Sequence, residues 1–213
     1  MQALAENVAR LLPGWRVEGG TLAAREAFEA LLDRSERPLV YPFFMARGWF
    51  TETHLVKRIN GRAGRIIPPT GADPALPQMA ARALETALRD NGWKAKDTAL
   101  LLAAHGSRTA PASSESAWVT EQVLSHVLGF RTTRTGFIEQ EPFLRDQAAG
   151  LGQAICLPFF ALRAGHMLMD VPEALESAGF SGPVLPPLVE FPDLPAVIAD
   201  SLRRHATGQP AAV

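Results

Sequence analysis

Short unbroken apolar runs alternate with stretches of helical periodicity along the second half of the chain. LLLAA at 100–104 and ICLPFF at 155–160 have no polar interruption, the pattern of strands buried on both faces. Between and after them, apolar residues recur at three- and four-residue spacing, as in SAWVTEQVLSHVLGF. The pattern predicts strands over 98–104, 132–138, 153–160 and 183–186, and helices over 112–128, 141–150, 166–178 and 194–206. Alternation of this kind predicts βαβ units and a parallel sheet with helices on both faces.

The chain carries this pattern twice. VYPFFMARGWFTETHLVKRI (40–59) and CLPFFALRAGHMLMDVPEAL (156–175) share Pro-Phe-Phe and an arginine three residues later at an offset of 116, and GTLAAREAFEALL (20–32) falls on GFIEQEPFLRDQA (136–148). With two residues of slippage, RIIPPTGADPALPQMAARAL (65–84) resembles PVLPPLVEFPDLPAVIADSL (183–202). The expected organisation is therefore α/β, with a module over 1–91, a linker over 92–97 in the Asn-Gly-containing stretch RDNGWKAKD, and a module over 98–208. The first half opens in a helix at the position equivalent to Ala117, so nothing in it corresponds to LLLAAHGSR. An edge left open in this way is expected to be covered by the second half, by a homodimer partner or by residues upstream.

Composition narrows the function classes. The 213 residues are 47% hydrophobic and 20% charged, enough for an ordinary globular core. Twenty-one basic against twenty-two acidic residues leave no field suited to nucleic acid. A single cysteine, Cys156, excludes an intramolecular disulfide and a multi-thiolate metal site, and points to a cytoplasmic location. No apolar run approaches the roughly 20 residues that span a bilayer, so no membrane partner is expected.

Candidate chemistry lies at the strand ends, where open parallel sheets bind ligands. His105 closes the first strand of the second half, Glu139 the second, and His166 follows the third, at separations of 34 and 27 residues. Two imidazoles and a carboxylate at one sheet edge suit a divalent ion such as iron, cobalt, nickel or zinc, and imidazole also accepts protons near neutrality. Each residue alone has a plainer role: a hydrogen-bonded histidine, a solvated loop acid, a histidine on a helix face. Asp170, shortly before Pro172, reads as a cap or first-turn residue. His126 reads as a helix-face residue, His205 as part of a frayed tail, and His54 lies four residues beyond the equivalent of His166.

LLLAAHGSR, GFIEQEP, LPFFALRAGHMLMDVPEAL and PVLPPL, in that order, resemble the class II tetrapyrrole chelatases of the CbiX and SirB type, over about residues 98–206. The resemblance implies a chelatase-like fold of two modules facing each other across a cleft. It also implies insertion of cobalt or ferrous iron into a sirohydrochlorin-type tetrapyrrole, in cobalamin or siroheme biosynthesis. By the same resemblance His105, His166 and Glu139 are the metal-binding and proton-accepting residues. No further cofactor is implied, the divalent metal (cobalt, iron or nickel) being a substrate, and neither GxxxxGK[ST] nor GxGxxG occurs.

The first half departs from the family pattern. Ala23 stands at the equivalent of Glu139 and Phe50 at that of His166, while Pro42, Phe43, Phe44 and Arg47 remain. Trp49 and Phe50 either stack on the flat macrocycle or fill the core. Arg108, Arg163 and Arg47 are candidate clamps for substrate carboxylates, or else surface salt-bridge residues, the better reading for Arg65. Ala164 replaces a frequent glycine. A non-catalytic metal or tetrapyrrole carrier is the alternative function. A hydrolase using Ser107 is disfavoured because HGSR lacks the GxSxG turn.

Overall fold

The computed structural model describes residues 1–59, 64–108, 112–163 and 165–206; Ala164 lies outside them. The chain divides into two compact units, Met1–Pro74 with Pro192–Val213, and Ala75–Phe191. In chain order the first unit supplies α1 (Gln2–Leu11), α2 (Arg25–Leu32), β1 (Leu39–Val40), α3 (Leu55–Ile59) and β2 (Arg65–Ile66). The second supplies α4 (Leu76–Asp90), β3 (Ala99–Ala104), α5 (Ala112–Leu128), β4 (Thr132–Phe137), α6 (Leu144–Ala148), β5 (Ala154–Phe159) and α7 (Asp170–Ser177). Helix α8 (Leu194–Ala206) belongs to the first unit.

The sheet of the second unit has the order β4-β3-β5, all parallel, with Ala104 level with both Phe137 and Phe159. Every residue of β3 is buried, which is why its sequence is continuously apolar. Alternate residues Ala99, Leu101 and Ala103 face a core shared with Leu144 of α6 and with Val171 and Leu175 of α7. The strand expected over 183–186 is reduced to one parallel bridge, Cys156 with Val184. Helix α6 starts later than its periodicity suggests, because Phe143 is extended (φ −68°, ψ 144°) and bridges to Phe137.

The internal repeat is a repeat of backbone and core. Val40 pairs with Ile66 in parallel as Cys156 does with Val184, and the Ile67 amide donates to Val40 O (3.0 Å) as that of Leu185 does to Cys156 O (2.9 Å). The prolines before the 3₁₀ turns Thr70–Ala72 and Leu188–Glu190 have nearly identical backbones, Pro69 at φ −67°, ψ 162° and Pro187 at φ −66°, ψ 160°. Phe28, Leu55 and Ile59 are buried in the first unit, and their counterparts Leu144, Val171 and Leu175 in the second.

The two sheets differ in extent. In the second unit β3 is the central strand, bonded to β4 on one side and β5 on the other. Within the described first unit the equivalent of β4, residues 16–21, has no such neighbour and forms no strand, and β1 is two residues long where β5 has six.

The compact units do not divide at the expected boundaries of 91 and 98. Helix α4, expected in the first module, packs on α5 and β5, and α8, expected in the second, packs on α1. Each half-chain thus donates its last helix to the other unit. The expected linker lies inside the second unit. There the Gly92 amide donates to Arg89 O and that of Trp93 to Leu88 O, closing α4 with Gly92 at φ 67°.

Candidate functional site

The site grows from the carboxyl ends of β3, β4 and β5. The β3–β4 pairing runs past the strand ends, with the Ile138 amide donating to Ala104 O (3.1 Å) and that of Glu139 to His105 O (2.9 Å). This holds the backbones of His105 and Glu139 side by side. The chain then turns sharply at Gly106 (φ 71°), and His105 Nδ1 lies 2.8 Å from Gly106 O. The Ser107 amide donates to Gln140 Oε1 (2.7 Å), and Arg108 Nε to Glu139 O (3.3 Å).

His166 is delivered by the 3₁₀ turn Gly165–Met167, which Gly165 enters with φ 46°. Met167 is buried in the core cluster against Val171 and pins this turn to the unit's interior. His166 Nδ1 bonds Asp170 Oδ2 one turn on. The rings of His105 and His166 meet edge to face, centroids 4.3 Å apart and planes at 89°. A carbonyl and a carboxylate only accept hydrogen bonds, so each Nδ1 carries a proton, and in the neutral ring the lone pair is then on Nε2. Two neutral imidazoles anchored in this way are suited to holding a borderline divalent ion loosely and to receiving protons.

Glu139 is half-buried at the end of β4, its backbone tied to His105 and Arg108. Among the described residues no three His, Cys, Asp or Glu side chains gather to hold one ion. Of the expected facial set, His105 and His166 meet as an imidazole pair, and Glu139 is joined to His105 through the backbone. Arg163, a candidate clamp or else a surface salt-bridge residue, forms a bidentate pair with Glu190 (2.7 and 2.9 Å). That pairing raises the Arg163 pKa and lowers that of Glu190. The guanidinium of Arg108 is exposed beside Glu139.

In the first unit, Trp49–His54 forms a π-helical segment at the repeat position of the His166 turn. Trp49 stacks on His54 (5.0 Å, 17°) and Phe50 on Phe44 (5.9 Å, 12°). Trp49 and Phe50 are 59% and 52% exposed, so they do not fill the core. Arg47 and Arg65 are exposed. His205 lies within α8, its Nδ1 2.8 Å from Ser201 O, and is not part of a frayed tail. His126 is exposed on α5.

Two residues of the site escape sequence reading. Asp170 is the first residue of α7, with Met169 at the cap, and its carboxylate serves His166 rather than the helix end. The i, i+4 spacing was the available signal. Gln140 had none, since its partner Ser107 comes from another strand end.

The CbiX family model matches residues 99–205. No curated protein sequence matches. A solved CbiX structure, described as that of the terminal enzyme of siroheme biosynthesis in denitrifying bacteria, is 42% identical, with a TM-score of 0.86 over 95% of this chain and 89% of that one. Two Bacillus subtilis SirB structures share the fold. One, with Fe3+, is 13% identical (TM-score 0.73, 97% and 90% covered), and one from subspecies spizizenii, in complex with cobalt, is 11% identical (0.67, 97% and 87%). A model matching from β3 to α8, joined to 42% identity along nearly the whole chain, shows that this protein belongs to the CbiX family.

Proposed function

We propose that the protein is a chelatase that inserts cobalt(II) or iron(II) into a sirohydrochlorin-type tetrapyrrole. The His105–His166 pair carries this reading: two imidazoles in contact, each with Nδ1 occupied and Nε2 available. Family membership and the iron and cobalt in the related SirB structures support it. The metal is a substrate, and insertion exchanges one divalent ion for two pyrrole N–H protons, with each pyrrole nitrogen lone pair passing to the metal.

Both imidazoles hold the incoming ion through Nε2, weakly enough to release it. As the ion leaves, Nε2 is free to take a pyrrole proton. A protonated His166 keeps a carboxylate partner in Asp170, whereas the Nδ1 partner of His105 is a neutral carbonyl. Proton acceptance is therefore assigned to His166, with Glu139 at the neighbouring strand end passing protons to solvent. Arg108 and Arg47, both exposed, are assigned to the substrate carboxylates, joined by Arg163 when it leaves Glu190. The exposed Trp49 and Phe50 are assigned to the macrocycle face.

The observation favouring the carrier reading is the first half, where Ala23 and Phe50 stand at the equivalents of Glu139 and His166. Co2+ insertion into sirohydrochlorin, followed by absorbance, separates the two. The wild type turns over and the His105→Ala/His166→Ala double variant falls to the uncatalysed rate. An unchanged rate in the double variant overturns the mechanism. Macrocycle binding by the wild type without metalation establishes the carrier instead.

A further inference from the structure

The peptide group joining Gly106 to Ser107 is held at both ends. Its carbonyl faces His105 Nδ1 at 2.8 Å, and its N–H donates to Gln140 Oε1 at 2.7 Å. Gln140 thus reaches the ring of His105 through a single peptide plane. The contact is also steric. A Cβ on Gly106 would come within 2.6 Å of Gln140 Cγ and 2.9 Å of Phe137 Cβ, so the glutamine stem lies directly on the turn. The continued β3–β4 pairing at Ile138 and Glu139 fixes the backbone from which Gln140 extends.

We propose that Gln140 is a positioning residue for His105. By accepting the Ser107 N–H, it sets the orientation of the Gly106 carbonyl. That carbonyl in turn keeps the His105 proton on Nδ1 and leaves the Nε2 lone pair for the ion. Hydrogen bonds in series polarise one another, so the bond to Oε1 makes the carbonyl a better acceptor. A carbonyl that turns away frees the ring to rotate and to adopt the other tautomer. The functional consequence rests on the reading of His105 as an ion-holding imidazole; the tautomer does not.

Three full-length variants test it. Gln140→Leu and Gln140→Met keep an apolar stem over Gly106 and remove the acceptor, while Gln140→Glu keeps an oxygen there. Long-range 1H–15N spectra of the metal-free protein, with His105 assigned from His105→Ala, read the tautomer. Optical titration with Co2+ alone reads the affinity. The expected result is an Nδ1–H ring in the wild type. In the Leu and Met variants, the Nε2–H form appears and Co2+ affinity falls by about tenfold or more, as when a ligand's orienting partner is lost. Gln140→Glu restores both. A wild-type tautomer and affinity in Gln140→Leu and Gln140→Met, or no restoration by Gln140→Glu, overturns the proposal. If one apolar variant fails to fold, the other supplies the comparison. Undiminished insertion by His105→Ala would remove the chelatase role of His105 and leave the tautomer result to decide on Gln140.

Discussion

The imidazoles of His105 and His166 touch edge to face at 4.3 Å, although one ends β3 and the other sits on a turn after β5. The parallel register makes this meeting possible by bringing Ala104 and Phe159 level, so both chains leave the sheet at the same edge. What each ring can do then depends on its Nδ1 partner.

For His166 that partner is Asp170. Asp170→Ala is expected to lower kcat/KM for metal insertion by about 10- to 100-fold, with Asp170→Asn, which retains an acceptor oxygen, recovering part of the loss. The side chain is 42% exposed, so the melting temperature should stay near that of the wild type. Unaltered kinetics in Asp170→Ala would show that His166 needs no orienting partner.

Arg163 is held by Glu190, whose carboxyl pKa is lowered by that pairing. A lowered carboxyl pKa keeps the pair intact above the ordinary carboxylate range and lets it dissolve only as pH falls through the lowered value. At neutral pH, then, Glu190 competes with a substrate carboxylate for the guanidinium. Glu190→Gln should lower KM for the tetrapyrrole with kcat unchanged, in steady-state assays. A KM equal to that of the wild type would remove Arg163 from the binding assignment.

Asp73 is almost wholly buried in the first unit and pairs with Arg204 of α8 at 3.1 Å. Losing this charge-assisted hydrogen bond to Arg204, whose side chain is 25% exposed, costs about 1.5–3 kcal/mol. Asp73→Ala should therefore shift the urea midpoint strongly downward. The double replacement Asp73→Leu/Arg204→Met should recover most of that loss in the same measurement.

Cys156 lies in the middle of β5 with no exposed surface, and burial pushes its thiol up to about 12. In the unfolded chain the thiol ionises from about pH 8.5. The contribution to stability is therefore whole below that value and declines as pH rises towards the folded one. Thiol reagents should leave the native protein unlabelled at pH 8 and label one site after denaturation, as counted by mass spectrometry.

Much of the fold is legible in the sequence because its signals are local. The unbroken apolar run of β3 and the three-to-four spacing of α5 and α8 mark elements whose bounds fall within a residue or two of the structure. The repeat is legible for the same reason, since Leu76 and Leu194, equivalent in the two halves, are both fully buried. Of the strand expected over 183–186 only Val184 is paired, because a short apolar run does not determine how far a ladder partner follows it.

Spacing along the chain sets the alternation of strands and helices, the doubling of that pattern, and which half carries His105, Glu139 and His166. Only the packed fold brings α4 and α8 each into the unit of the other half, joins the two imidazoles, and pairs Arg163 with Glu190. It also supplied Gln140, whose hydrogen bond to Ser107 joins two strand ends. Periodicity records which face of an element is buried. Which element covers that face, and which side chains then come within hydrogen-bonding reach, is fixed only when the strands pair and the helices pack.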